Sequence, residues 1–266
     1  MSASAPQIRT IDAPLIRANI DGVVTLTLNR ATRYNTLTRE MIDALSSALA
    51  EIATDASARV VVIASTGRAF STGHDLKEMR QHRDRAYLSK LINDCSRMMQ
   101  SIISLPQPVI AKVQGIATAA GCQLVASCDL ALAAQSARFA TSGINYGIFC
   151  STPAVALSRT VSRKHALEML FTGDFIDAET AARLGLINRA VDDAALDAEV
   201  ALLTAKLARK SSYALKLGKA SFYAQADQGL DAAYRCAAAD LVNNLLAEDG
   251  LEGLNAFVEK RDPTFS

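Results

Sequence analysis

The chain has 266 residues, half of them apolar and 21% charged, and its 28 basic and 27 acidic side chains leave a formal charge of +1. That length buries roughly three quarters of the surface an unfolded chain exposes and suits one continuous core. The balanced charge supplies no field for a polyanion, so no nucleic-acid partner is expected, and no run of the roughly eighteen apolar residues that a membrane span needs occurs, so no membrane insertion is expected either.

In chain order, Met1-Ser2-Ala3-Ser4-Ala5-Pro6 lacks the basic and apolar regions of a secretory signal, and a cytoplasmic location is the expectation, with an organelle left open in case a transit peptide has been removed. Leu15 to Ile20 and Val23 to Leu28 read as a hairpin turning at Asp21-Gly22, a pair suited to positive backbone torsions. Thr38 is placed to cap a helix whose Met41, Leu45, Leu49 and Ile52 share one stripe. Val60 to Ile63 reads as a buried strand. Leu88, Leu91, Cys95, Met98, Met99 and Ile102 give a second helical face, ended by Pro106 and Pro108 before a strand at Val109 to Val113. Gly115 marks a turn, Cys122 to Cys128 a short helix and Leu130 to Ala134 another strand. From Pro153 the spacing predicts mainly helices, at Lys164 to Phe171, Ala178 to Leu184, Ala194 to Ala208 and Gly229 to Leu246, with one strand at Ile187 to Val191. This tail can cover one side of the sheet, pack against another subunit, or both.

The layout is α/β, yet no Gly-x-Gly-x-x-Gly follows the first strand, which excludes the usual dinucleotide fingerprint. Cys95, Cys122, Cys128, Cys150 and Cys236 are odd in number and show no paired spacing, so they read as buried thiols. His74, His82 and His165 lack the spacing of a metal site, and neither a metal nor a redox cofactor is expected.

Two segments carry the chemistry: Ala69 to Met79, and Gly115 to Leu124. Each sets glycine and small residues at a strand exit just before a helix, where unbonded N–H groups stabilise negative charge. By themselves such residues serve packing and turns as readily as an oxyanion site.

Ser71-Thr72-Gly73-His74-Asp75-Leu76-Lys77-Glu78-Met79 and Pro108 to Asp129 resemble the crotonase (enoyl-CoA hydratase/isomerase) signature. Leu170-Phe171-Thr172-Gly173 to Gly185-Leu186-Ile187 and Ala256 to Arg261 reinforce it, over about Ile20 to Phe265. Gly73-His74-Asp75-Leu76-Lys77 and Phe149-Cys150-Ser151-Thr152-Pro153 resemble most the enoyl-CoA hydratase domain-containing protein 3 branch. The resemblance implies a crotonase-type spiral of repeated β-β-α units with a helical C-terminal region, divided as an N-terminal arm (1–14), a core (15–195) and a helical region (196–266) that packs on the core and on a neighbouring subunit. It implies an acyl-CoA thioester as ligand, with coenzyme A part of that ligand, and a homotrimer or hexamer.

By the same resemblance, the His74 and Ala120 N–H groups form an oxyanion hole. Arg33, His74, Asp75, Leu76 and Lys77 line the coenzyme A path, with pantetheine passing the backbone before Asn35 and with Phe257 and Lys260 completing the nucleotide site from a neighbour. Family hydratases carry two glutamates where this chain has Gln123 and Gly143. Hydration needs paired groups to activate water and move the α-proton, and an amide is no base near neutral pH. His74, Tyr146, Cys150 and Ser151 are the substitutes within sequence reach, while Asp129 is expected to fix a turn. The resulting expectations are an enzyme of nonstandard proton chemistry with weak or absent hydratase activity, or a noncatalytic acyl-CoA-binding or regulatory protein.

Overall fold

The structure, a computed structural model, describes residues 13–265. The expected N-terminal arm therefore lies outside the described residues except for Ala13 and Pro14, as does the Met1 to Pro6 motif. Strands β1 (Leu15–Ile20) and β2 (Val23–Leu28) pair antiparallel with Ile20 opposite Val23. Asp21 and Gly22 between them take φ of 50° and 82°, which matches a tight turn to the twist of its strands. Helix α1 (Arg39–Ala53) begins where Thr38 Oγ1 accepts from the Met41 amide at 3.2 Å, and its Met41, Leu45, Leu49 and Ile52 stripe is buried.

Three β-β-α repeats follow. The first is β3 (Val60–Ser65) and β4 (Ala69–Ser71) with α2 (Leu76–Gln81) and α3 (Arg85–Ser104). The second is β5 (Val109–Val113) and β6 (Ile116–Thr118) with α4 (Ala120–Ser127). The third is β7 (Leu130–Ala134) and β8 (Arg138–Ala140) with α5 (Ser151–Leu157) and α6 (Arg163–Thr172). After β9 (Ile176–Asp177), α7 (Ala178–Leu184) and β10 (Arg189–Val191) the chain turns helical. The first strand of each repeat joins a six-stranded sheet, β1-β2-β3-β5-β7-β10, and the second joins a four-stranded sheet, β4-β6-β8-β9. From β2 onward all pairs in the large sheet are parallel. This is the expected α/β spiral of β-β-α units.

Every residue of β3 is buried, as suits a parallel strand covered on both faces. Val61 and Ile63 pack with the α1 and α3 stripes, while Val60, Val62 and Ala64 face Ile110, Leu132 and Ala134 together with Leu196 and Val200 of α8 (Leu196–Ala208). Two boundaries shift from expectation. The strand expected from Ile187 starts at Arg189, because Asn188 Oδ1 takes the Ala131 amide at 2.7 Å in place of a ladder carbonyl. The helix expected from Ala194 starts at Leu196, after a single 3-10 turn at Asp193–Ala195.

The remaining helices are α9 (Ser212–Ala226), α10 (Leu230–Leu246) and α11 (Glu248–Glu259). Neither α9 nor α10 buries a residue, so the tail covers the sheet chiefly through α8. A polar anchor ties α9 to the core: Lys219 Nζ donates to Ile102 O (2.8 Å), Gln107 O (3.0 Å) and Asp129 Oδ2 (2.6 Å), and Tyr223 Oη donates to Asp129 Oδ1 at 2.9 Å. Asp129 Oδ2 also accepts the Val109 amide at 2.7 Å. Asp129 thus holds its turn, as expected, and fastens a helix ninety residues away. Burial lowers the Lys219 pKa, with the Asp129 carboxylate acting against it.

Candidate functional site

β4 and β6 are parallel neighbours, with Ser71 opposite Ala117, so their exits emerge side by side. Glycine lets them close on each other. A methyl group at Gly73 would lie 2.8 Å from the Ala120 nitrogen, and one at Gly121 would lie 2.1 Å from the Ser71 carbonyl oxygen. Ala119, between them, takes φ 52° and ψ −123°, a strained conformation for an L-residue of the kind concentrated at functional sites. It is held by its N–H donating to Ala140 O at 3.1 Å and by its carbonyl accepting from Gln123 N at 3.1 Å. Ala120 is the first residue of α4, so its N–H has no intrahelical carbonyl to bond.

On the facing turn, the Gly73 carbonyl accepts from the Leu37 amide at 2.7 Å. Asp75 caps α2, its Oδ1 accepting from Lys77 N at 2.8 Å and Glu78 N at 3.2 Å. His74 lies between these fixed points. Its Nε2 is buried with no hydrogen-bond partner, and burial pushes the imidazole pKa down to about 4, leaving it neutral at neutral pH.

Gln123 sits one turn into α4, 5% exposed, with Oε1 buried and unpartnered. Gly143 begins differently from a site that has merely lost a side chain. A methyl group there would meet Ile148 O at 2.6 Å and Cys150 Sγ at 2.9 Å. The loop is shut by Ile148 N donating to Gly143 O at 3.0 Å, and Ser142 Oγ shares a 2.8 Å hydrogen bond with Thr118 Oγ1 of β6. Among the proposed substitutes, the Cys150 thiol is therefore brought to position 143. Tyr146 is 72% exposed, and Ser151 is exposed with its hydroxyl reaching only Phe149 O at 3.5 Å. Burial pushes the Cys150 thiol up, opposed by a backbone hydrogen bond at Gly143, and pushes neighbouring Cys122 up to about 12. Protonated thiols are poor nucleophiles.

Arg33, Leu76 and Lys77 are exposed near the first turn, whereas Phe257 and Lys260 are exposed at the end of α11, which packs on α9 and α10. Sequence reasoning missed the residues that hold the turns. Asn35, fully buried with φ 51°, donates from Nδ2 to Thr66 O and Ala69 O, both at 2.8 Å, and accepts Arg30 N at 2.8 Å on Oδ1. Ser71 Oγ donates to Asn35 O at 2.8 Å. The available signal was Asn35 itself, since Asn tolerates the left-handed region. Among the described residues no group of three or more His, Cys, Asp or Glu could hold a metal ion, and no helix is long and apolar enough to cross a membrane.

The family model described as enoyl-CoA hydratase/isomerase matches residues 19–266. The mouse protein named enoyl-CoA hydratase domain-containing protein 3, mitochondrial, is 46% identical over 246 residues, covering 92% of this chain and 82% of its own. Among solved structures, an enoyl-CoA hydratase of Mycobacterium smegmatis superposes with a TM-score of 0.93 at 50% identity, covering 95% of this chain and 98% of that one. The human enoyl-CoA hydratase domain-containing protein 3 gives 0.93 at 44% identity, covering 95% and 100%. The expected cytoplasmic location is overturned here, because the mouse, rat, human, Xenopus laevis and zebrafish relatives are all named as mitochondrial. The composition of the first six residues carries no information about which compartment holds the protein.

Proposed function

The chain belongs to the enoyl-CoA hydratase/isomerase family, and from that premise we propose that it binds an acyl-CoA thioester with the carbonyl oxygen between the amides of His74 and Ala120. The observation that carries this reading is the closure of Gly73 onto the Ala120 nitrogen, which sets the two turns at a separation that any side chain at position 73 would spoil. Two preorganised donors polarise the carbonyl and hold charge that develops on its oxygen, each supporting about 3 kcal/mol of transition-state stabilisation.

Ordinary hydration is weak or absent in this proposal. Gln123 has an amide in place of a base, and position 143 has no room for a carboxylate beside Ile148 O and Cys150 Sγ. The reactions that remain are those in which the thioester supplies its own departing group, as in decarboxylation. The second reading, binding without turnover, is favoured by the same blocked position. Coenzyme A enters as part of the ligand, along Arg33 and His74 to Lys77, with Phe257 and Lys260 contributed by a neighbour in a trimer or hexamer.

The test is calorimetric titration with butanoyl-CoA alongside a hydration assay on crotonyl-CoA. Saturable binding is expected, weakened at least roughly tenfold by His74→Pro, which removes one donor. Hydration is expected to stay at background in the native chain and in Gln123→Glu, and Gly143→Glu is expected to lower the melting temperature without restoring activity. Failure to bind any CoA thioester, or brisk hydration by the native chain, overturns the reading.

A further inference from the structure

Ser71 ends β4 and touches both turns of the candidate site. Its hydroxyl donates to Asn35 O at 2.8 Å and accepts the Gly73 amide at 3.3 Å. Its backbone abuts α4, where a methyl group at Gly121 would lie 2.1 Å from the Ser71 carbonyl oxygen and 2.9 Å from the Ser71 Cβ. The residue after Gly73 is His74 and the residue before Gly121 is Ala120, so one serine stands behind both proposed donors. Among the described residues the His74 N–H donates to no group.

Asn35 grips Ser71 in turn, and both residues are fully buried. Its Nδ2 donates to Thr66 O and Ala69 O on the way into β4, which leaves its carbonyl for the Ser71 hydroxyl. Two further bonds continue the contact: Thr72 N donates to Tyr34 O at 3.2 Å, and Leu37 N donates to Gly73 O at 2.7 Å. Residues 34–37 thus run as a splint along residues 71–73. The Gly73 carbonyl and the His74 N–H belong to one planar peptide unit, so whatever fixes that carbonyl also fixes where the N–H points. Leu37 holds the unit at its oxygen, and Ser71 holds Gly73 at its nitrogen. Gly73 itself, with φ 79° and no side chain, has little torsional preference to replace these bonds.

We propose that Ser71 and Asn35 are positioning residues for carbonyl polarisation: the Ser71 hydroxyl, held by Asn35 O, fixes Gly73 and through it the direction of the His74 N–H, while the Ser71 backbone spaces that donor from the Ala120 N–H. The inference rests on the acyl-CoA reading above and assigns the residues that make its two donors act together. A hydrogen bond weakens steeply as its donor turns away from the acceptor, and a donor already aimed costs no reorganisation when charge develops on the oxygen.

The experiment is difference infrared spectroscopy of the full chain with butanoyl-CoA isotopically labelled at its thioester carbonyl, beside calorimetric titration with butanoyl-CoA and with CoA. In the native protein the bound carbonyl band is expected below its frequency in water. Ser71→Ala is expected to return the band roughly halfway and to weaken butanoyl-CoA about fivefold, the worth of one ordinary hydrogen bond, while CoA, which has no thioester carbonyl, binds unchanged. Ser71→Cys, close in size and a weak donor, is expected to give an intermediate band, and it carries the comparison if Ser71→Ala does not fold. A hydroxyl that served stability alone would lower the melting temperature and leave the band of the folded, bound protein where it was. An unmoved band in Ser71→Ala, or in Ser71→Cys where the alanine variant does not fold, therefore overturns the positioning role and leaves the oxyanion reading standing. Equal loss of CoA and butanoyl-CoA affinity overturns it as well. A thioester that binds the native chain with no band shift, or that does not bind, overturns both readings.

Discussion

In the proposed site His74 acts through its backbone amide, while its side chain carries a cost. The imidazole Nε2 is buried and unpartnered, and its folded pKa of about 4 lies below the ordinary 6.5. Above pH 6.5 it is neutral in both folded and unfolded chains and adds no pH dependence. As pH falls from 6.5 toward 4, the unfolded chain takes up a proton that the folded chain refuses, so stability is lost, by up to about 3 kcal/mol. Urea midpoints measured at pH 7 and pH 4.5 are expected to drop further for the native protein than for His74→Asn. Parallel losses would show that the imidazole is not desolvated. At this scale the sequence was partly legible: that positions 123 and 143 hold no carboxylate was readable, but that Gly143 is sealed by Ile148 O and Cys150 Sγ was not. A residue's identity is local, whereas its free volume belongs to the neighbours the fold brings to it.

Among elements, α9 depends on one buried pair. The Lys219 and Asp129 side chains are 8% and 15% exposed, and removing one partner of such a pair leaves the other charge without compensation. Lys219→Met is expected to destabilise the protein by about 3 kcal/mol and to open α9 to limited proteolysis. Adding Asp129→Asn is expected to recover part of that loss, and a double-variant loss equal to the sum of the two single-variant losses would show that the pair is not coupled. The elements themselves were largely visible in the sequence, because apolar spacing and capping residues are local signals: Thr38, the α1 stripe and the Asp21-Gly22 turn all stand where they were expected. The four short strands of the second sheet were not visible. Segments of two or three residues such as Ala69–Ser71 and Ile176–Asp177 are too short to show a period, and their pairing comes from the spiral.

For the whole molecule, α9 and α10 bury no apolar side chain fully, and Leu230, Tyr234, Leu241, Leu246 and Phe257 are all exposed. Apolar area of this extent favours association. Sedimentation is expected to give three or six times the chain mass, and Leu230→Glu/Leu241→Glu is expected to reduce it; a native monomer at micromolar concentration would overturn the assembly reading. The sequence alone determined the α/β class and the family resemblance, with glutamine at 123 and glycine at 143, since composition, periodicity and motif residues are written along the chain. Only the tertiary structure decided that Gly73 meets Ala120 and that a side chain at position 143 would meet Ile148 O and Cys150 Sγ. Those contacts join residues far apart in sequence, and it is the parallel pairing of β4, β6 and β8 that sets them side by side.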